Sequence, residues 1–408
     1  WDPAEGTSAS LLGGLYKVDA DETLSIPVLE PPYDNIVEDR RRYLGGHLLG
    51  RWRRAWAGGQ ELTLQTYYEI SEEKGVWTQP DGPLQHRRQT LDFDSQFSLA
   101  PRGRHKLMWG TGYRTTRDDI AEMVDFHLVP PRRTDHLLSA FFLDEVDLSE
   151  NRLHLSVGSK FEHNGYTGFE FQPSLRLLGR LRPNHSLWAA VSRAVRTPTR
   201  IEHDVRLIGD VLPPDSPMNP VNVPLRVELQ GNRQMRSTQL LAWEVGYRAD
   251  LPGLAAVDLA GFYHVYDDLR TMEPQSTSYD SLAAIPHLEL NFKAQNRMSG
   301  EAYGLEAMLE ARPSTRWRLR ATYSWMEMDL RLAADSRDPR SDELENEMPR
   351  HQWALRSNCD LRRNLGLDVN LRYISQLAGL DVDGYAGLDA RLQWQVRPEW
   401  QLSLVGRS

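Results

Sequence analysis

The sequence has a single cysteine, Cys359, among 408 residues. An internal disulfide is therefore impossible, and no CxxC pair exists to hold a metal. Cys359 reads as a small apolar residue. Long apolar runs are missing as well. No stretch of about 18 apolar residues occurs, and a membrane-spanning helix needs about 20. With 40% hydrophobic residues and a mean hydropathy of −0.56, a bundle of such helices is excluded. Excess positive charge is absent too. The formal net charge is −9 and the pI about 5.8, so no nucleic-acid footprint exists. No HExxH, GxSxG, Walker or GxGxxG signature appears. Such motifs carry mechanism, so the chain reads as a non-enzyme without metal site or cofactor. Glu202, His203 and Asp204 are adjacent, but neighbouring side chains on an extended chain point apart.

What the sequence has in quantity is alternation. From Phe169 one parity reads Phe169, Phe171, Pro173, Leu175, Leu177, Gly179, Leu181. The other reads Glu170, Gln172, Ser174, Arg176, Leu178, Arg180. Leu91, Phe93, Phe97 and Leu99 likewise oppose Asp92, Asp94, Gln96 and Ser98. Leu388, Ala390, Leu392, Trp394 and Val396 oppose Asp389, Arg391, Gln393, Gln395 and Arg397. A period of two over such lengths predicts strands with two unlike faces. About 17 such segments are visible, many of about 11 to 15 residues. Soluble strands cluster near about 5–6 residues, whereas a tilted membrane strand needs about 9–11.

The links between segments sort into two kinds. One kind is short and rich in turn formers, as in Ala57-Gly58-Gly59, Pro101-Arg102-Gly103, Arg182-Pro183-Asn184 and Leu251-Pro252-Gly253. The other is mostly long and polar: 20–41, 72–85, 119–133, 197–236, 271–286 and 331–349, with shorter members near 164–168 and 378–384. The two kinds alternate strictly. Successive links of an up-and-down meander lie at opposite ends, so one end carries tight turns and the other large loops. That is the layout of an outer-membrane barrel. The run Leu212 to Pro220 is proline-dense and excludes a regular helix there, so 197–236 reads as an extracellular excursion. A lipid-facing Arg near the bilayer midplane costs about 2–4 kcal/mol, so the charged parity must face the lumen. The fold class expected is all-β, a transmembrane antiparallel up-and-down β-barrel with bilayer lipid around it and no edge exposed to hydrocarbon.

Several segments carry a family resemblance. Ser192-Arg193-Ala194-Val195-Arg196-Thr197-Pro198 lies where a strand enters the largest loop. Phe141-Phe142-Leu143-Asp144-Glu145, Gly158-Ser159-Lys160-Phe161-Glu162, Glu244-Val245-Gly246-Tyr247-Arg248 and Gly304-Leu305-Glu306 follow the same meander, and Val405-Gly406-Arg407 begins one more element. In this order the set resembles the β-barrel domain of TonB-dependent outer-membrane receptors of Gram-negative bacteria. The resemblance implies a barrel of about 22 strands. Residues 1–408 would then be a receptor-like barrel incomplete at both ends, lacking the plug domain, the TonB box and a terminal strand. No initiator Met or signal peptide is visible, and both ends read as cut.

The implied activity is active transport of a ferric siderophore or a similar iron complex. The implied partners are the chain's own plug and TonB with ExbB and ExbD. Aromatic and basic residues in or beside the long loops, Trp77, Arg132, Arg133, His136 and Tyr279, are the candidate ligand contacts, by stacking and charge. Arg176, Arg180, Asp258, Arg318, Arg320 and Arg391 on the inner wall, with Arg193 and Arg196 at the rim, are candidate plug contacts. A passive porin and a surface adhesin are the competing readings.

Overall fold

The computed structural model describes residues 5–79, 82–121, 125–150 and 152–408, with side chains of 76–79 and 82–84 outside the description. The alternating segments form β1 (Thr7–Pro27), β2 (Asp34–Ala55), β3 (Glu61–Gln79), β4 (Gly82–Ser98), β5 (His105–Ile120), β6 (Phe126–Leu128) and β7 (Arg132–Ser149). Then come β8 (Leu153–Asn164), β9 (Gly168–Arg182), β10 (His185–Arg196), a short helix α1 (Arg200–Asp204), β11 (Val205–Leu212), β12 (Leu225–Gln230), β13 (Thr238–Leu251) and β14 (Ala255–Pro274). The chain closes with β15 (Ser278–Asp280), β16 (His287–Ser314), β17 (Trp317–Leu332), β18 (His351–Arg362), β19 (Leu365–Ile374), β20 (Tyr385–Arg397) and β21 (Trp400–Arg407). Four of these, β6, β11, β12 and β15, are confined to the long links. The other seventeen form one antiparallel meander in chain order, the number read from the alternation. Among the described residues the sheet stays open: β1 pairs with β2 and β21 with β20.

Register keeps the two faces apart. Between β4 and β5, Phe93 lies opposite Tyr113 and Phe97 opposite Trp109, while Asp92 lies opposite Arg114 on the other side. A one-residue slip would exchange the faces of a whole strand. The apolar parity stands exposed: Leu388, Trp394 and Phe142 are 46–47% accessible. The polar parity lines the concave side, where Arg51, Arg53, Asp92, Asp94, Arg114 and Glu162 border one hollow of the wall. A soluble protein would bury the first set and expose the second. Most of the few buried apolar side chains, including Leu128, Val205, Val211, Met235 and Met298, lie at the looped end.

On the inner wall Trp188 lies against Gly246, where any added Cβ would collide with the indole. The guanidinium of Arg176 sits 5.0 Å from the centroid of the Trp188 ring. Gly246→Leu is expected to destabilise the barrel by about 1–3 kcal/mol through overpacking. Thermal unfolding in detergent checks it, and an unchanged midpoint would remove the steric argument.

Strands run further out than the sequence boundaries place them. Residues 20–41 were expected as a loop, yet only 28–33 link β1 to β2. Both faces are wet there, so apolar alternation carries no signal. Cross-strand charge pairs hold the extension instead: Arg42 Nε to Asp19 Oδ1 and Arg40 Nε to Asp21 Oδ1, each 2.8 Å, between directly opposed residues. The stretch 197–236 also differs from a plain excursion. It holds α1 and the hairpin β11–β12, with the proline-dense run as irregular chain between the two strands.

Candidate functional site

The looped end is built by pairing between links. β6 pairs antiparallel with β11, Leu128 opposite Val205. β11 pairs with β12, and β12 pairs parallel with the start of β16, Leu225 opposite Leu288. β15 closes on the same stretch of β16. The links after β5, β10 and β14 are thereby joined into one outer sheet.

A buried charge cluster fixes this sheet to the barrel rim. Thr199 caps α1: its hydroxyl accepts from the Glu202 amide at 3.2 Å, and Glu202 Oε2 accepts from the Thr199 amide at 2.8 Å. This reciprocal pair satisfies two orphan donors of the helix start. Arg196 donates to both Glu202 oxygens at 3.0 and 2.9 Å, joining the end of β10 to the helix. Asp204, with a side chain that has no solvent exposure, accepts from Arg133 Nη1 at 2.7 Å and from Arg233 Nε at 3.1 Å. His203 Nδ1 lies 3.0 Å from Asp204 Oδ1, the same oxygen that Arg233 reaches. Arg133 also donates to Asp135 at 2.6 Å and lies 4.3 Å from the centroid of the Tyr166 ring. The Tyr166 hydroxyl donates to Asp135 Oδ2 at 2.6 Å. Arg200, nearly buried, pairs with Asp118 and donates to the Pro130 carbonyl. One helical turn thus gathers groups from β5, β7, β10, the β8–β9 turn and two long links.

The charges shift one another. Burial pushes the Asp204 carboxyl up, but the Arg133 hydrogen bond and His203 outweigh it and hold it below the usual range. Burial opposes ionisation of Glu202 as well, and Arg196 with the Thr199 amide reverses that. Burial and the Asp135 hydrogen bond push the Tyr166 phenol upward. Depressed carboxyls contribute stability above their unfolded values, near pH 4, and lose it as pH falls through the folded values. Hydrogen exchange of 199–212 is therefore expected to be equally protected at pH 7 and 5 and clearly less protected at pH 3. Protection that is unchanged or higher at pH 3 would contradict the assignment.

A second set of polar contacts extends the rim. Glu170 accepts from Thr167 at 2.7 Å and from Ser237 at 2.5 Å. Glu273, buried, accepts from Ser336 Oγ and the Arg337 amide at 2.7 Å each. Below the rim the inner wall is self-paired: Arg53 with Glu61, Arg114 with Asp92, Lys160 with Glu162 and Arg372 with Asp389. Such a wall presents closely spaced charges of both signs to whatever occupies the lumen.

The family description "TonB dependent receptor-like, beta-barrel" matches residues 3–407. The chain belongs to that family. Its members are outer-membrane β-barrel proteins of Gram-negative bacteria, and this barrel is one of them. Solved structures agree in fold. The siderophore receptor PirA from Acinetobacter baumannii aligns with a TM-score of 0.67 at 14% identity over 90% of this chain and 58% of its own. PirA from Pseudomonas aeruginosa gives 0.65 at 13%, over 100% and 71%. The alcaligin receptor FauA from Bordetella pertussis gives 0.61 at 13%, over 100% and 64%. The chain therefore spans about three-fifths to seven-tenths of these relatives' lengths. Comparison with curated proteins gives no match.

Within this receptor-family barrel the expected loop residues do not form one cluster. The Trp77 side chain lies outside the described residues. Alternation along β7 separates Arg132 and His136 from Arg133. Arg133 enters the buried cluster, whereas Arg132 is exposed and pairs with Asp119 at 2.9 Å. His136 shares the outward parity with Leu138 and Phe142 and stacks on Tyr113, 2.9 Å from its hydroxyl, as an interface aromatic pair does. Tyr279 is 55% exposed on β15.

Of the expected plug contacts, Asp258 and Arg391 border hollows of the inner wall. Arg318 and Arg320 share that parity, opposite Asn358 and Arg356. Arg320 reaches Glu310 at 3.4 Å. Arg180 is exposed on the inner face. Arg193 differs from a lumen contact. It leaves β10 on the outward parity and clamps the Phe171 carbonyl of β9 and Gln239 of β13, 3.0 Å away. Arg196 belongs to the α1 cluster.

Sequence reading missed two things. Glu202, His203 and Asp204 lie on a helical turn and not on extended chain, and Thr199-Arg200-Ile201-Glu202 carries the capping-box spacing that signals it. Against the expectation of no metal site, Asp280, His287 and Glu289 form, among the described residues, the one group that could hold a metal ion. Adjacent strands bring them together, which no local motif announces.

Proposed function

We propose that this chain forms most of the barrel of a TonB-dependent active transporter for a ferric siderophore or a similar iron complex. Ligand is held at the looped end together with a plug domain, and TonB, with ExbB and ExbD, drives the plug to open a path. The observation that carries the reading is the outer sheet locked by buried charge above a self-paired polar wall. A passive channel needs the wall but not the locked loops. Named relatives that are siderophore receptors support the ligand class. The seventeen through-strands then belong to a larger barrel of about 22, the wall charges of Arg176, Arg180, Asp258, Arg318, Arg320 and Arg391 facing the plug. Exposed Arg132 and Tyr279 remain the candidate ligand contacts, with Trp77. Nothing in this scheme is catalysis: the barrel binds and conducts.

The test is binding of a panel of ferric chelates to cells carrying the complete gene, read by fluorescence quenching. Saturable binding of one chelate, weakened by Arg132→Ala or Tyr279→Ala, supports the proposal. Non-saturable entry of unrelated small solutes with no chelate binding would favour the passive channel.

A further inference from the structure

We infer that Asp280, His287 and Glu289 form a binding site for a divalent transition-metal ion, with Zn²⁺ the best-fitting probe, within the outer sheet. The strand register makes the site. Asp280 of β15 lies directly opposite His287 of β16, and Ser278 lies opposite Glu289. His287 and Glu289 are two residues apart on one strand, so their side chains share a face with Asp280. One ligand atom from each lies within 4.8 Å of the others.

The histidine is the telling member. Its side chain is 2% exposed. Nδ1 lies 2.8 Å from the Ile285 carbonyl, which can only accept, so Nδ1 carries the proton. Nε2 is left with its lone pair. That atom is buried, has no hydrogen-bond partner, and lies 3.6 Å from Glu289 Oε1. The lone pair of Nε2 thus stands unsatisfied beside carboxylate oxygens, an arrangement that a metal ion bound between them would complete. Two ligand atoms about 2.0–2.1 Å from one Zn²⁺ at a near-tetrahedral angle lie about 3.3 Å apart, close to the separation seen. The Nδ1–carbonyl bond is also the outer contact that fixes tautomer and ring orientation in metal-bound histidines.

The carboxylates are held in place. Asp280 Oδ1 accepts from the Leu282 and Ala283 amides at 3.0 Å each. Ser278 Oγ donates to Glu289 Oε2 at 3.3 Å, and Arg226 of β12 pairs with Oε1. Glu228 stands 3.9 Å from the same guanidinium, so the surroundings stay net negative. One imidazole and two carboxylates suit Zn²⁺, Mn²⁺ or Fe²⁺ over Ca²⁺ or Mg²⁺, and three protein ligands leave a position for water. The inference concerns a bare ion on the protein and does not depend on which complex is transported.

The experiment is calorimetric titration of Zn²⁺ into the complete protein in detergent micelles, with Co²⁺ absorption as a second readout. Wild type is expected to bind Zn²⁺ at this site and to give Co²⁺ bands of low-coordinate geometry. His287→Gln and Asp280→Asn should each weaken Zn²⁺ at least tenfold and abolish those bands. Asp280→Asn keeps the test decisive if His287→Gln fails to fold, as judged by heat-shifted gel mobility. Wild type without Zn²⁺ binding, or folded variants that bind as wild type does, would overturn the inference.

Discussion

Replacing Arg133 by alanine is expected to release the outer loops while leaving the barrel intact. Arg133 is the hub of the α1 cluster, joining Asp204, Asp135 and the face of Tyr166. Asp204 has no solvent exposure, so losing its main cation leaves a buried carboxylate with Arg233, His203 and the more distant Arg200, 3.9 Å away. Breaking one partner of a buried ion pair costs about 3–5 kcal/mol. The outer sheet then loses its anchor to β7. Hydrogen exchange should rise sharply over 199–212 and 225–230, and stay unchanged in β18 to β20. Chelate binding should be lost. Arg133→Lys is expected to recover little, because an ammonium cannot reach both carboxylates and cover a ring at once. Unchanged exchange at the looped end would show that the β6–β11–β12–β16 ladder is enough by itself.

Arginine at Leu309 is the second large effect, and it tests the orientation of the wall. Leu309 lies on the exposed apolar parity of β16, opposite Val257 and Ala321. A lipid-facing arginine costs about 2–4 kcal/mol near the midplane. Met308, one residue away, borders the inner wall beside Arg320. Met308→Gln should therefore change stability by less than about 0.5 kcal/mol, as polar substitutions away from packed features do. Urea unfolding of both variants in lipid vesicles separates the faces. Equal effects would mean that the parities are not assigned to lipid and lumen as described.

How far the sequence showed all this depends on what each residue touches. Within the bilayer, Phe93 and Asp92 meet opposite surroundings, so alternation between them reports the strand, its faces and its register. Beyond the bilayer that contrast vanishes. Asp19 and Arg42 stand on strands as regular as any, but water lies on both sides and the pattern becomes charge against charge. Strand ends were for that reason placed too early. The same boundary error put Arg132, Arg133 and His136 into one loop cluster. Once β7 begins at Arg132, period two sends Arg133 inward and its neighbours outward. The α1 turn was legible in the Thr199 to Glu202 spacing. Its charge partners were not, because Arg133 reaches Asp204 from β7 and Arg233 from the far end of the β10–β13 link, both distant in sequence from the helix. Nor was the Asp280–His287–Glu289 group, which exists only through the pairing of β15 with β16.

Radiolabelled ferric-chelate uptake, followed in cells with and without TonB, tests the central claim most directly. The complete protein should accumulate label only when TonB and proton-motive force are both present. Arg133→Ala should abolish that accumulation. Accumulation at the same rate without TonB would contradict the account and mark the barrel as a passive channel.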